Sequence, residues 1–257
     1  MKVSDHNSRL RLEVEHCPMR PGCPLAFMCG VALNDGKPLL PVISDVGYGE
    51  MIWTDLNTRH RVCVVRSGLL LSRVYASRDG EIPHSIFGMG FVGGIPDIYI
   101  PYVASDFYFF SGLVAGQLCS FDGGFAKERI DALGTPQAQL LIARIGLNHT
   151  TSIYSQTLTF AHRRVRDKVV SVLLRVEGEL SRQPGFGGEL PIAHDDVAFL
   201  ACIERATASR ELKRLAQEGL IDLGYRRIRV LPTLRQTFGD MIEANLPFYD
   251  NDLSVLQ

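Results

Sequence analysis

No run of 18 apolar residues occurs in this 257-residue chain, which excludes an apolar membrane-spanning helix. The first residues also lack the charged-then-apolar pattern of a secretory signal, so a cytoplasmic protein is expected. Charge of one sign is missing as well. Against 27 basic side chains stand 28 acidic ones, for a formal net charge of −1, and this excludes a polybasic coat that grips nucleic acid regardless of sequence. Several catalytic signatures are absent. There is no His-x-His pair of the kind a metal-dependent β-barrel dioxygenase or isomerase uses. The glycine-rich stretch 87–94 has no lysine and is not a phosphate-binding P-loop, and no Gly-x-Ser-x-Gly elbow is present. An enzyme is therefore the weaker reading, with a metal-dependent β-barrel enzyme as its remaining form.

The chain does carry enough apolar sequence, 46% hydrophobic, to fill two modest cores. Residues 192–221 read as a helix-turn-helix. Val197, Leu200, Ile203, Ala208, Leu212 and Leu215 recur at the spacing of two packed amphipathic helices, and Ala201 and Ala208 permit a close crossing. Gly219 stands where the second helix should end. Leu220–Leu223 and Arg227–Leu231 then flank Gly224-Tyr225, a β-hairpin wing. The second helix begins at Arg205 and carries Thr207, Ser209, Arg210, Lys213 and Arg214 off its core face. An exposed helix of that composition suits the major groove of double-stranded DNA, with arginines forking onto guanine edges and lysines and hydroxyls on phosphates. Over 203–231 seven basic residues face four acidic ones, a local patch that fits a specific reader. An ordinary surface helical hairpin is the bland alternative.

Upstream the texture changes. Between about 40 and 130, short β-branched and aromatic runs such as 60–65 and 69–75 flank Ser67-Gly68, with further turns at 78–80 and 93–94. This spacing predicts an antiparallel barrel or jelly roll. Most of 136–181 reads as helical, with a long helix ending near 163 and a shorter one after it. The long helix has more apolar residues (Leu140, Leu141, Ile145, Ile153, Phe160) than one barrel can cover, so a homodimer is expected through it. The divisions are a cysteine-containing segment at 1–39, a barrel sensor at 40–132, helices at 133–181, a winged helix-turn-helix at 182–235 and a tail at 236–257. The fold class is α+β.

Six cysteines are present. Cys17, Cys23 and Cys29 cluster in a Pro/Gly-rich segment ahead of the barrel, and Cys119 sits in a strand near its end. Three thiols on a loop and one on a scaffold can form a four-thiolate site, which in a cytosolic protein reads as metal or cluster rather than disulfide. Zinc and a thiol redox switch compete with an iron–sulfur cluster. Haem is a further alternative, with His60 and His84 as candidate axial ligands. Cys63 and Cys202, set among apolar neighbours, read as small buried hydrophobes.

Barrel, long helix and winged helix-turn-helix, in that order, resemble the Crp/Fnr family of bacterial transcription regulators over about 45–235. The resemblance places Arg205, Ser209 and Arg210 on the family's DNA-contacting positions. It implies a palindromic operator, RNA polymerase as a partner and a dimer. This chain has Ala206 where the family usually has Glu, Cys202 for the turn glycine and Glu204 for the Ser or Thr cap. The cyclic AMP branch holds its ligand's phosphate with an Arg-Ser pair, but 91–118 contains no Arg or Lys, so cyclic AMP is not expected. The arrangement of Cys17, Cys23, Cys29 and Cys119 is similar to the oxygen-sensing Fnr branch, which implies a 4Fe–4S cluster. The Cys23-x5-Cys29 spacing matches that branch, whereas five residues rather than two separate Cys17 from Cys23.

Overall fold

Two 15-residue strands organise the N-terminal half of the computed structural model, which describes residues 17, 19–31, 40–52, 61–75, 80–99 and 108–241. They are β3 (Arg61–Tyr75) and β6 (Tyr108–Asp122), paired antiparallel along most of their length. Around them lie β1 (Val42–Val46), β2 (Met51–Ile52), β4 (Glu81–Phe87) and β5 (Val92–Gly93). The six form one antiparallel sheet in the order β1-β6-β3-β4, with β2 added to β6 and β5 to β3. In β3, Val62, Cys63, Val64 and Val65 are all buried, because both faces of this sheet are covered. One face packs Val62, Val64 and Phe121 against Leu25 and Met28 of the N-terminal segment and against helical residues such as Ile130 and Leu141. The other packs Val65 and Leu118 with Phe87, Phe91 and Phe110.

The turn expected at Ser67-Gly68 is not a turn. The strand runs through it, and the glycine serves a bulge. Val65 pairs with Leu118 and Ser67 with Gln117, so Arg66 is an extra residue without a partner across the ladder. Gly68 follows at φ +80, and a Cβ there would stand 2.6 Å from the Val114 carbonyl oxygen. Arg78 and Asp79 of the turn expected at 78–80, and His60, lie outside the described residues.

Five of the seven α-helices among the described residues follow the sheet-rich half in two groups. Helix α1 (Ile95–Tyr99) lies within that half, and α2 (Gly123–Asp131) starts at Asp122, whose carboxylate accepts from the Phe125 amide at 3.0 Å. Helix α3 (Thr135–Ala161) has proline in its first turn and its 27 residues span about 40 Å. Of its apolar residues, Leu141 and Ile145 are buried within the chain, while Ile142, Leu147 and Tyr154 remain exposed at 38, 55 and 59%. Beyond Thr150 its buried positions turn polar: the Thr159 and Ser171 hydroxyls meet at 2.8 Å, and the Gln156 amide donates to the Leu200 carbonyl at 2.8 Å.

Helix α4 (Val165–Ser181) is buried from Val169 to Glu177, and its apolar residues share one core with everything that follows. That core holds α5 (His194–Leu200), α6 (Arg205–Gln217), α7 (Pro232–Thr237) and the sheet β7-β9-β8 of β7 (Glu189–Leu190), β8 (Ile221–Gly224) and β9 (Arg227–Val230). The wing turn is Tyr225-Arg226, one residue later than expected, since Gly224 still pairs with Arg227. Gln183, just past α4, clamps the bulge: its amide accepts from Gly68 N–H and donates to Gly68 C=O, both at 2.8 Å. The chain is thus an α+β protein with a sheet-rich N-terminal half, long helices and a C-terminal winged helix-turn-helix.

Candidate nucleic-acid interface and thiol cavity

Local chemistry fixes the helix-turn-helix. The Asp196 carboxylate accepts from the Ala193 amide at 2.7 Å, satisfying one free donor at the start of α5. The chain then turns through Cys202 at φ +48, a left-handed conformation that normally favours glycine. The Glu204 side chain makes no cap at the start of α6; its backbone carbonyl accepts from Thr207 and Ala208 instead. Ala208, Leu212 and Leu215 point inward at 0% exposure. At the far end Gly219 takes φ +69 and Leu220 N–H returns to the Leu215 carbonyl, closing the helix.

Cys202 is exposed, which corrects its expected place as a buried hydrophobe. The strained φ puts it at the outside of the turn, where only a residue without Cβ is free of cost. Cys202→Gly is expected to stabilise the protein by up to about 1 kcal/mol, the relief of left-handed strain less the extra chain entropy of glycine. A thermal melt should show a midpoint raised by a few degrees; an unchanged or lowered one would refute the strain.

The six residues expected on the DNA-facing side of α6 all lie off its core face, and they differ in how they are held. Arg205, 73% exposed at its side chain, bonds Asp195 of α5 through Nε at 2.7 Å. The Ser209 hydroxyl meets His194 Nδ1 at 3.0 Å, and burial lowers the pKa of that imidazole. Arg210 reaches back to the Thr207 hydroxyl at 3.1 Å. Arg214 leans on the buried Glu211 carboxylate at 3.4 Å, and Lys213 is exposed. The supporting residues His194 and Asp195 were not singled out from sequence, although their place in the first turn of α5 puts them against the start of α6.

A second constellation lies at the other end of the chain. Cys17, Cys23 and Cys29 flank two short 3-10 turns, Arg20–Gly22 and Ala26–Met28, which Met19, Leu25 and Met28 anchor in the core. Across the sheet, Ile43 of β1, Cys119 of β6 and Val64 of β3 stand in register and so share a face. The four thiols and these two aliphatic side chains line one small solvent-open cavity. Four cysteines up to 102 positions apart (119 − 17) therefore converge. Burial pushes the Cys23 thiol up to about 12, and the neighbouring Cys29, Cys119 and Cys17 add to the shift. Cys29 rises to about 11, chiefly by burial, with Arg20 pulling the other way. Arg20 and Arg66 are the charged side chains of the lining, and neither was expected there.

The remaining candidates separate from this cavity. Cys63 is fully buried and does not line it, in keeping with a structural role. His84 lies on β4, with its Nδ1 3.4 Å from the Ser72 hydroxyl. Among the described residues no group of three or more His, Cys, Asp or Glu side chains is placed to hold a single metal ion. No helix among them is long and apolar enough to cross a membrane.

Residues 167–236 match the Crp-like helix-turn-helix domain. The fold as a whole is similar to solved structures of transcription regulators. A CRP-family transcriptional regulator from Thermus thermophilus is 17% identical, with a TM-score of 0.62 over 78% of this chain and 99% of that one. FixK2 from Bradyrhizobium japonicum gives 17% identity and a TM-score of 0.62 over 79% and 98%. The c-di-GMP responsive global regulator CLP of Xanthomonas campestris gives 17% and 0.55 over 74% and 93%. Among curated protein sequences nothing matches significantly.

Proposed function

We propose that this protein is a sequence-specific, DNA-binding transcription regulator, not an enzyme, whose DNA affinity is set by a 4Fe–4S cluster on Cys17, Cys23, Cys29 and Cys119. The convergence of these four thiols on one cavity carries the reading. An all-sulfur donor set suits iron–sulfur chemistry. Each iron of such a cluster takes one thiolate, so four thiols spread around one cavity suit it. The group supplies one-electron redox chemistry and sensitivity to oxygen or nitric oxide. Burial raises the Cys23 and Cys29 thiols, which weighs against these two as the nucleophile of a reactive-thiol switch. Haem is not favoured, because His84 is apart from the cavity.

The chain's own residues do the rest. Cys23 and Cys29 must each lose a proton on ligation, so loading releases protons and weakens as pH falls. Tying the three N-terminal thiols to Cys119 fixes the N-terminal segment on the sheet beside Leu141 and Ile145 of α3. The exposed Ile142, Leu147 and Tyr154 give α3 an apolar surface for a second copy, and a two-fold dimer would set two α6 helices about 34 Å apart on a palindromic operator. RNA polymerase is the partner such a regulator would engage, in the cytoplasm.

Single Cys→Ser variants at all six positions test the proposal, with iron, sulfide, sedimentation and operator affinity measured without oxygen. Loss of iron and sulfide is expected at 17, 23, 29 and 119 together with at least about a tenfold loss of affinity, or 1.4 kcal/mol. The variants at 63 and 202 should match the parent. If the parent and all six variants take up no iron on reconstitution, the cluster reading fails and the DNA-binding reading stands alone.

A further inference from the structure

Several arginines of this protein sit against carboxylates: Arg73 on Glu81, Arg205 on Asp195, Arg229 on Glu189, Arg235 on Glu177. The two in the thiol cavity do not. Neither Arg20 nor Arg66 has an ion pair or side-chain hydrogen bond to a described residue, although Arg66 is half-buried. The placement of Arg66 has a backbone cause. It stands two positions after Val64, which pairs with Cys119, so the alternation of the strand brings it to the same face, just where the β3 bulge leaves it without a partner across the ladder. Arg20 comes from the opposite wall, in the 3-10 turn between Cys17 and Cys23, and its charge already opposes the rise of the Cys29 pKa.

Charge accounts for the pair. Four thiolates around a 4Fe–4S core form a dianion in its usual resting state, and the remaining walls here, Met19, Ile43, Val64 and Phe121, are apolar. An anion at such a site needs compensation. Two guanidinium groups are opposite to it in sign and equal in number of charges. Resting on the cluster reading above, we infer that Arg66 and Arg20 are the charge-compensating residues of the site and set its reduction potential. Adding one electron breaks no bond and makes the cluster more negative, so a nearby cation favours the reduced form. Removing one therefore lowers the potential and makes oxidative loss in air faster. Arg66 has the larger effect, because Arg20 is exposed and screened by solvent and salt.

The test uses the full-length protein, reconstituted anaerobically with iron and sulfide, in parent, Arg66→Gln, Arg66→Lys, Arg20→Gln and, as a control outside the cavity, Arg61→Gln. Iron and sulfide content, midpoint potential and the rate of bleaching in air are measured. Arg66→Gln should shift the one-electron equilibrium at least tenfold toward the oxidised form, which is about 59 mV downward. Arg20→Gln should shift it less, and Arg66→Lys and Arg61→Gln should keep the parental value. Reduced loading of Arg66→Gln that Arg66→Lys restores also supports the charge role, and equal failure of both overturns it. Arg66→Gln protein that loads fully and keeps the parental potential overturns the inference while leaving the cluster reading intact. A parent that takes up no iron and sulfide overturns both.

Discussion

Leu212→Ala is expected to destabilise the protein by about 2–5 kcal/mol, the range for emptying a buried leucine site. Leu212 is fully buried on the inner face of α6, in the core that α4, α5 and the wing sheet share. Its surroundings leave little room for collapse, since Ala201 and Ala208 are already small and Leu215 and Val197 are themselves at 0% exposure. At about 2–4 °C per kcal/mol for a chain of this size, the melting midpoint should fall by several degrees. The exposed Lys213, the next residue, is the control: Lys213→Ala should stay within about 0.5 kcal/mol of the parent. Urea unfolding of both variants decides the matter, and a loss below about 1 kcal/mol for Leu212→Ala would show that the helix pair is not packed as described.

The second large effect is on recognition rather than stability. Arg205→Ala should reduce discrimination between operator variants by about 1–3 kcal/mol, some 5–150-fold, because a forked arginine–guanine contact is lost. The Asp195 carboxylate holds this guanidinium through Nε, which leaves its terminal nitrogens free and lowers the entropic cost of ordering them on DNA. Lys213 makes no ion pair with a described residue and suits a phosphate. Lys213→Ala should weaken all sites alike and reduce the slope of log K against log salt by about 1. Binding isotherms on a panel of sites at several salt concentrations separate the two roles. Identical behaviour of the two variants across that panel would mean the roles are wrongly divided.

The output half was legible because its signals are local. The spacing of Val197, Leu200, Ala208, Leu212 and Leu215, a break, and Gly219 all lie within 30 residues, and each is found where periodicity placed it. The one-residue error at the wing turn arose because Arg226 rather than a glycine takes the positive φ, at +51. In the sheet the misreading at Ser67-Gly68 has a non-local cause. A glycine in a β-bulge and a glycine in a turn look alike until the register with β6, some fifty residues away, is known. The same blindness hid Arg66, because only the pairing of Val64 with Cys119 shows that its face of the strand is the one the thiols share. The spacing of the cysteines suggested a shared site, but only the pairing of Ile43, Cys119 and Val64 across three strands brings Cys119 to the others. Cys202 misled because its apolar neighbours face inward while its own left-handed backbone turns it outward.

The clamp between Gln183 and Gly68 bears on how such a protein can diverge. The Gln183 side chain there holds the strand by its peptide groups, beside an apolar seam in which Leu69, Leu71, Ile86 and Leu113 of the sheet share one core with α4 and the winged helix-turn-helix. The two hydrogen bonds themselves depend on the kink in the strand and not on the identity of the strand's side chains. Gly68 itself is barred from change, because any Cβ would collide with the main chain at 114–116. Grafting a different N-terminal half onto the winged helix-turn-helix would then require both this irregular peptide and the apolar seam, and a graft with a straight strand there would leave the Gln183 amide without its partner.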